Sequence, residues 1–128
     1  MSELKSPGIQ EIGQIAITVS DLERCRDFYR DALGLRHLFD VPGMSFFDLG
    51  SVRLMLGAAE KPGDRHPASI LYYRVDDIGA AAEALRARGV KVEREPAAVH
   101  KDARHELWLA FFRDPEENLL ALMSEVPL

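Results

Sequence analysis

The side chains that could perform chemistry are few, and their spacing matches no common catalytic arrangement. The sequence has four histidines, at positions 37, 66, 100 and 105. None of them has another histidine, a cysteine or a carboxylate at a metal-binding spacing. His105 and Glu106 are neighbours on a predicted strand, so they would point to opposite faces and could not hold one ion together. The sequence contains no Ser-His-Asp arrangement, phosphate-binding loop or CxxC motif.

The single cysteine gives little support for thiol chemistry. Cys25 lies among apolar residues of a predicted helix, which favours a buried structural thiol over a reactive one. One cysteine also rules out a framework of disulfides within the chain. We therefore expect a protein of the reducing cytoplasm.

A repeated pattern predicts the elements that must position any site. An apolar, β-branched run at 15–19 passes into an acidic helix start at 20–23, and the pattern returns at 71–78. Each copy continues into an amphipathic stretch that ends at a glycine, Gly34 or Gly89. A repeat of this size is one supersecondary unit, which must pack against its copy to bury a core.

Hydrophobic periodicity and turn residues predict the same order in both copies, a strand, a helix and three strands. In the first copy the strands are predicted at 12–19, 36–41, 44–49 and 51–57, with a helix at 21–33. Ser20 and Glu23 suggest a capping box at the start of that helix. In the second copy the strands are predicted at 69–75, 90–96, 105–113 and 118–124, with a helix at 77–88 and a polar loop at 97–104.

These elements predict an α+β fold of two βαβββ modules that form a curved mixed sheet around a central groove. The chain is expected to be one domain, 1–128, with module one at about 10–57, a linker at 58–67 and module two at about 68–124. Its 128 residues and 47% hydrophobic content suffice for one core.

Composition argues against nucleic acids and membranes as partners. The formal net charge is −5 and the pI is about 5.3, whereas nucleic-acid binding calls for a basic face. No apolar run approaches the ~20 residues of a membrane span. Residues 1–8 lack the basic and then apolar order of a secretion signal.

Two segments carry a resemblance to a known family. The opening segment, 15–24 with 28–35, and the closing segment Phe111-Phe112-Arg113-Asp114-Pro115-Glu116-Glu117-Asn118-Leu119-Leu120 resemble the vicinal oxygen chelate superfamily. That group includes glyoxalase I, bleomycin-resistance proteins and extradiol dioxygenases. The resemblance extends over residues 10–124. Glu117 stands where the family commonly has glycine, so a positive φ there would strain it.

The resemblance also implies where a metal would bind. Enzymes of the superfamily typically hold one divalent metal with residues from the first and last strand of each module. The corresponding positions in this sequence are Gln14, Ile70, Ala121 and, to within one residue, Met55. One neutral amide among them is too few donors for a divalent cation. We therefore predict no metal and no other cofactor.

Strand alternation predicts what lines the groove instead. If Gln14 points inward, so does Thr18, and the same parity applies to each of the other strands. Trp108 could reach the mouth of the groove, although core packing is the simpler role. The predicted lining is largely apolar with a few polar groups, as in small-molecule pockets: Gln14, Thr18, Arg53, Met55, Ile70, Tyr72, Arg74, Trp108, Ala121 and Met123.

Three functional hypotheses follow. The first is metal-free binding of a small organic molecule, similar to the drug-sequestering branch of the superfamily, by a protein that is expected to be a homodimer. The alternative is a lyase, isomerase or dioxygenase of the glyoxalase type that uses Zn, Ni, Fe or Mn. The third is a scaffold whose groove is filled by its own side chains and which associates through a large apolar face.

Overall fold

The computed structural model describes residues 6–61 and 66–128. The first half forms β1 (Gln14–Val19), α1 (Leu22–Asp27), a π-helical turn (Phe28–Ala32), β2 (Arg36–Val41), β3 (Met44–Leu49) and β4 (Val52–Ala58). The second half forms β5 (Leu71–Arg74), α2 (Ile78–Ala87), β6 (Val92–Lys101), β7 (His105–Arg113) and β8 (Leu119–Pro127). No helix in the described ranges is long and apolar enough to cross a membrane.

The strands form two four-stranded sheets of the same topology. Their orders are β1-β4-β3-β2 and β5-β8-β7-β6. In each sheet the first strand of the half runs parallel to the last, and the other neighbours are antiparallel. The predicted α+β fold with two strand–helix–three-strand units is confirmed.

The core lies on the side of the sheets that carries the helices. Alternate residues of β1 and β4, such as Ile17 and Leu54, are buried there against Cys25 of α1 and Tyr29 of the π-helical turn. Leu120 of β8 has the corresponding place in the second half, and all these residues belong to one continuous cluster. Full burial of an aliphatic side chain contributes about 1.5–3 kcal/mol, so this face holds the two halves together.

The predicted capping box at Ser20 and Glu23 is wrong. Asp21 is the N-cap, and its side chain accepts a hydrogen bond of 3.1 Å from the backbone N–H of Arg24. The backbone N–H groups of Ser20 and Asp21 donate instead to the Glu116 carboxylate, over 2.6–2.8 Å. This acceptor comes from the other half of the chain, so a pattern of local residues could not reveal it.

The predicted helix at 21–33 is divided in the structure. The α-helical hydrogen-bond pattern ends at Asp27, and the next turn is π-helical, with the N–H of Leu33 donating to the Phe28 carbonyl at 3.0 Å. Gly34, at a φ of +72°, then ends the helical segment as predicted. Apolar spacing does not separate an α-helix from one that contains a single wide turn.

The polar loop predicted at 97–104 is mostly strand. β6 continues to Lys101 and pairs with β7, with register shifts along its length. The hairpin closes at Asp102, whose carboxylate accepts N–H groups of Arg104 and His105 at 2.8 and 2.7 Å. The polar residues of β6 belong to an edge strand, which explains why their composition resembled that of a loop.

The turn between β7 and β8 ties the second half to the first. Asp114 is 3% exposed and accepts hydrogen bonds from the Tyr29 hydroxyl at 2.8 Å and from the N–H groups of Glu116 and Asn118 at 2.8 and 3.0 Å. Burial raises the pKa of Tyr29 far above its ordinary value, with a further contribution from Asp114. Glu117 has a φ of +67°, the strained conformation anticipated where the family has glycine.

Candidate ligand-binding groove

Each sheet has a second face that points away from the core, which we call the open face. On the first sheet the open face carries Gln14, Ala16 and Thr18 of β1, Arg53 and Met55 of β4, Met44 and Phe46 of β3, and Phe39 and Val41 of β2. On the second sheet it carries Tyr72 and Arg74 of β5, Ala121 and Met123 of β8, Leu109 and Phe111 of β7, and Arg94 of β6.

The residues predicted to line the groove divide between these two faces. Gln14, Thr18, Arg53 and Met55 lie together on the first sheet. Tyr72, Arg74, Ala121 and Met123 lie together on the second, and Ile70 directly precedes β5 and lines the same cleft as Tyr72. Among the described residues, no hydrogen bond, ion pair or aromatic contact joins one open face to the other.

Trp108 does not belong to this set. It has the same strand parity as Ala110 and Phe112, it packs against the core, and its indole N–H donates to Glu106 at 2.8 Å. Its assignment to the groove is therefore corrected to the helix-packed face. Both faces of β7 are apolar, so alternation alone could not show which of them meets the core.

The first open face combines a polar pair with an aromatic stack. The Arg53 Nε donates to Gln14 Oε1 at 2.8 Å, and the Gln14 amide N–H approaches the sulfur of Met55 at 3.8 Å. The Arg53 guanidinium lies 5.0 Å from the centroid of the Phe46 ring, which is within cation–π range. Phe46 stacks on Phe39 with ring centroids 4.6 Å apart.

The second open face contains a cleft of about 370 Å³ whose lining comes entirely from that sheet and its flanks. Tyr72 and Phe111 meet edge to face at 6.1 Å, above the small Ala121 that pairs with both. Arg94 lies 5.9 Å from the Phe111 ring. This geometry offers ring surfaces with a cation beside them.

The four positions at which the resemblance places metal ligands do not fit a divalent cation. Gln14 already accepts a hydrogen bond from a guanidinium, Met55 offers only a thioether, and Ile70 and Ala121 have no donor atoms. The described residues contain no group of three or more His, Cys, Asp or Glu that could hold a metal ion. Hard divalent cations need several oxygen or imidazole donors, so we derive no metal-assisted step.

Sequence reasoning placed Tyr72 in the candidate site but missed the other rings and one arginine. Phe39, Phe46, Phe111 and Arg94 were not among the predicted lining residues, although β2, β3 and β7 had been predicted. The signal was available, because extending the parity of Gln14 across the neighbouring strands would have placed these side chains on the open faces.

A separate cavity of about 350 Å³ lies on the helix side, between the two halves. Its walls include Leu35, Tyr73, Ala84 and Arg88. Burial raises the pKa of Tyr73 far above its ordinary value, and the negative charge of Asp114 adds to the effect. Apart from Arg74, none of the predicted groove residues lines this cavity.

The family model described as Glyoxalase/Bleomycin resistance protein/Dioxygenase superfamily matches residues 11–122. The uncharacterized protein YraH of Bacillus subtilis (strain 168) is 28% identical over 123 residues, which cover 85% of this chain and 94% of that protein.

Two solved structures show the same architecture. TnmS3, an antibiotic binding protein from Streptomyces sp. CB03234, is 26% identical and covers 94% of this chain and 99% of its own, with a TM-score of 0.73. Lactoylglutathione lyase from Agrobacterium tumefaciens is 23% identical, covering 91% of this chain and 94% of its own, with a TM-score of 0.72. The second likeness bears on the fold alone.

Proposed function

Because this chain belongs to the Glyoxalase/Bleomycin resistance protein/Dioxygenase superfamily, we propose that it binds a small organic molecule, without a metal ion, in a groove lined by its open faces. One observation carries the proposal, namely that both open faces present aromatic and aliphatic side chains to solvent. Phe39 is 44% exposed, Ile70 42% and Tyr72 47%. Exposed apolar surface with a few oriented polar groups is typical of small-molecule sites.

The proposal includes a homodimer that completes the groove. Each open face is a single wall, and the cleft at Tyr72 is lined by its own sheet and flanks. If the first sheet of one copy faces the second sheet of its partner, two-fold symmetry creates two equivalent grooves at once. Such pairing also covers apolar side chains such as Val41 and Met44, which are 42% and 39% exposed.

Binding rather than catalysis is favoured by the donor set. Glyoxalase-type chemistry needs a Lewis acid that holds two substrate oxygens, and the amide and thioether at Gln14 and Met55 are poor ligands for such an ion. The likeness to an antibiotic binding protein supports a role in which capture depends on shape and stacking. The buried thiol of Cys25 suits a reducing cytoplasm.

A fluorescent, neutral aromatic probe, N-phenylnaphthylamine, tests the groove. We expect saturable binding by the native protein. Tyr72→Ala and Phe46→Ala should each weaken it about tenfold, or 1.4 kcal/mol. The first removes an exposed ring, and the second removes the buried ring on which the exposed Phe39 stacks. Ile9→Ser is the matched control, since Ile9 is 85% exposed and lies outside both sheets. Equal affinity of all four proteins would overturn the assignment of the site.

Native mass spectrometry of the same preparations, purified without chelator, tests the other two parts of the proposal. We expect a dimer with no bound metal, and probe binding that dialysis against a chelator does not change. A stoichiometric Zn, Ni, Fe or Mn ion would refute metal-free binding. A monomer that retains full probe affinity would refute the shared groove.

A further inference from the structure

The arginines of the open faces fall into two groups. Three have carboxylate partners, in the pairs Arg36–Asp48 at 3.6 Å, Arg74–Glu125 at 3.7 Å and Arg113–Glu93 at 3.0 Å. Arg53 and Arg94 have none among the residues that the structure describes. These two are also the arginines that lie over phenylalanine rings, at 5.0 Å and 5.9 Å.

The two phenylalanines occupy equivalent places in the two halves. Phe46 lies opposite Met55, which in turn pairs with Ala16 of the first strand. Phe111 lies opposite Ala121, which pairs with Tyr72 of the corresponding strand. The register therefore superimposes Phe46 on Phe111. The neighbouring arginine comes from β4 in the first sheet and from β6 in the second, so each phenylalanine has its cation on a different side.

Each phenylalanine also has a second aromatic neighbour. Phe39 stacks on Phe46 at 4.6 Å and Tyr72 meets Phe111 at 6.1 Å. In each wall of the proposed groove a pair of rings thus lies beside an arginine that forms no ion pair with the described residues. Arg53 uses its Nε for Gln14, and the two terminal nitrogens have no acceptor within the described part of the chain.

We infer that the ligand of this groove is a flat aromatic molecule that carries an acidic substituent, a carboxylate or a sulfonate. This inference rests on the proposed function and specifies its ligand. The rings supply stacking surface for a planar body. The guanidinium groups supply paired N–H donors for an oxyanion, which Arg binds in a fork geometry. With a net charge of −5, the protein as a whole repels anions, so a preference for an acid must come from these local charges.

Two probes that differ by one acidic group test the inference. Anilinonaphthalene sulfonate is N-phenylnaphthylamine with a sulfonate added. We expect the native protein to bind the sulfonate about tenfold more tightly than the neutral probe, because a charge-assisted hydrogen bond adds binding free energy of about that size. High salt should reduce that preference. Arg53→Met and Arg94→Met should each lower the affinity for the sulfonate by a larger factor than the affinity for the neutral probe, so that the preference for the sulfonate falls.

Two control variants locate the effect. Arg36→Met removes an arginine that is already paired with Asp48, and Ala84→Phe places a bulky ring at the edge of the helix-side cavity. Neither should change the preference. The inference fails if the native protein binds both probes equally, whereas the proposed function then stands. If neither probe binds, the proposed function fails as well. A preference that survives both methionine variants but is lost in Ala84→Phe would assign the anion to the other cavity and overturn the inference.

Discussion

The hydroxyl of Tyr29 should make a large contribution to stability, and replacing it with phenylalanine measures that contribution. Tyr29 is fully buried and Asp114 is 3% exposed, and the hydroxyl donates to the carboxylate at 2.8 Å. Phenylalanine keeps the ring but removes one donor from a buried negative charge. A hydrogen bond to a charged group contributes about 1.5–3 kcal/mol, which is a large part of the 5–15 kcal/mol typical of a domain.

Tyr73→Phe is the matched control for this change. The Tyr73 hydroxyl is also buried, but it forms no hydrogen bond with the described residues. Removing a buried hydroxyl that has no partner relieves a desolvation cost. We therefore expect the unfolding free energy of Tyr73→Phe to equal or exceed that of the native protein by up to about 1 kcal/mol.

Urea unfolding, followed by circular dichroism and by tryptophan fluorescence, distinguishes the two variants. Tyr29→Phe should lower the unfolding free energy by about 2 kcal/mol and the melting temperature by roughly 5–10 °C, with an unchanged denaturant slope. If Tyr73→Phe destabilises the protein as much as Tyr29→Phe does, the hydroxyl of Tyr73 has a partner and the reasoning is refuted. If neither variant changes stability, the bond from Tyr29 to Asp114 does not hold the halves together.

Two further predictions concern the same junction. Glu116→Ala should lower the unfolding free energy by about 1–2 kcal/mol, because two N–H groups at the start of α1 lose their acceptor. Glu117→Ala changes an exposed neighbour and should alter the unfolding free energy by less than about 0.5 kcal/mol. Equal losses for the two variants in urea titrations would contradict this prediction. Burial raises the pKa of the Cys25 thiol far above its ordinary value, with Glu116 contributing next, so the folded protein should not react with a chromogenic thiol reagent at neutral pH. An unfolded thiol ionises at pH ~8.5, whereas the folded one stays protonated. The contribution of Cys25 to the unfolding free energy is therefore fully present below that pH and is lost as the pH rises above it. Between pH 7 and pH 10 the unfolding free energy of the native protein should fall by about 2 kcal/mol more than that of Cys25→Ala. Equal decreases would show that the thiol ionises in the folded protein.

Much of the fold could be predicted because its signals are local. The strands predicted at 36–41 and 44–49 agree with β2 and β3 residue for residue, since Pro42-Gly43 marks the turn between two alternating segments. The acceptor of the Ser20 and Asp21 N–H groups could not be predicted, because the Glu116 carboxylate reaches them from the β7–β8 turn. The course of β6 was also hidden, since the polar residues of an edge strand resemble those of a loop.

The walls of the candidate groove were predictable only where one face of a strand is clearly polar or small. Alternation on β1 separated Gln14 and Thr18 from the core residues Ile17 and Val19. On β7 the two faces are equally apolar, so the place of Trp108 depends on pairing with β6 and β8. Which of the described arginines form an ion pair within the described ranges depends on contacts across strands, and sequence spacing does not show those contacts.

The environment of Gln14 relates the lack of metal-ligating side chains to the proposed binding of an acidic molecule. At the position that the resemblance assigns to a metal ligand, the amide oxygen accepts a hydrogen bond from Arg53 at 2.8 Å, so a positive charge already stands beside it. A divalent cation placed there would meet that guanidinium at close range and be repelled. A guanidinium can hold and orient an oxyanion, but unlike a bound metal it offers no open coordination position at which two substrate oxygens could be activated. The arrangement therefore supports holding an acidic molecule in preference to transforming it.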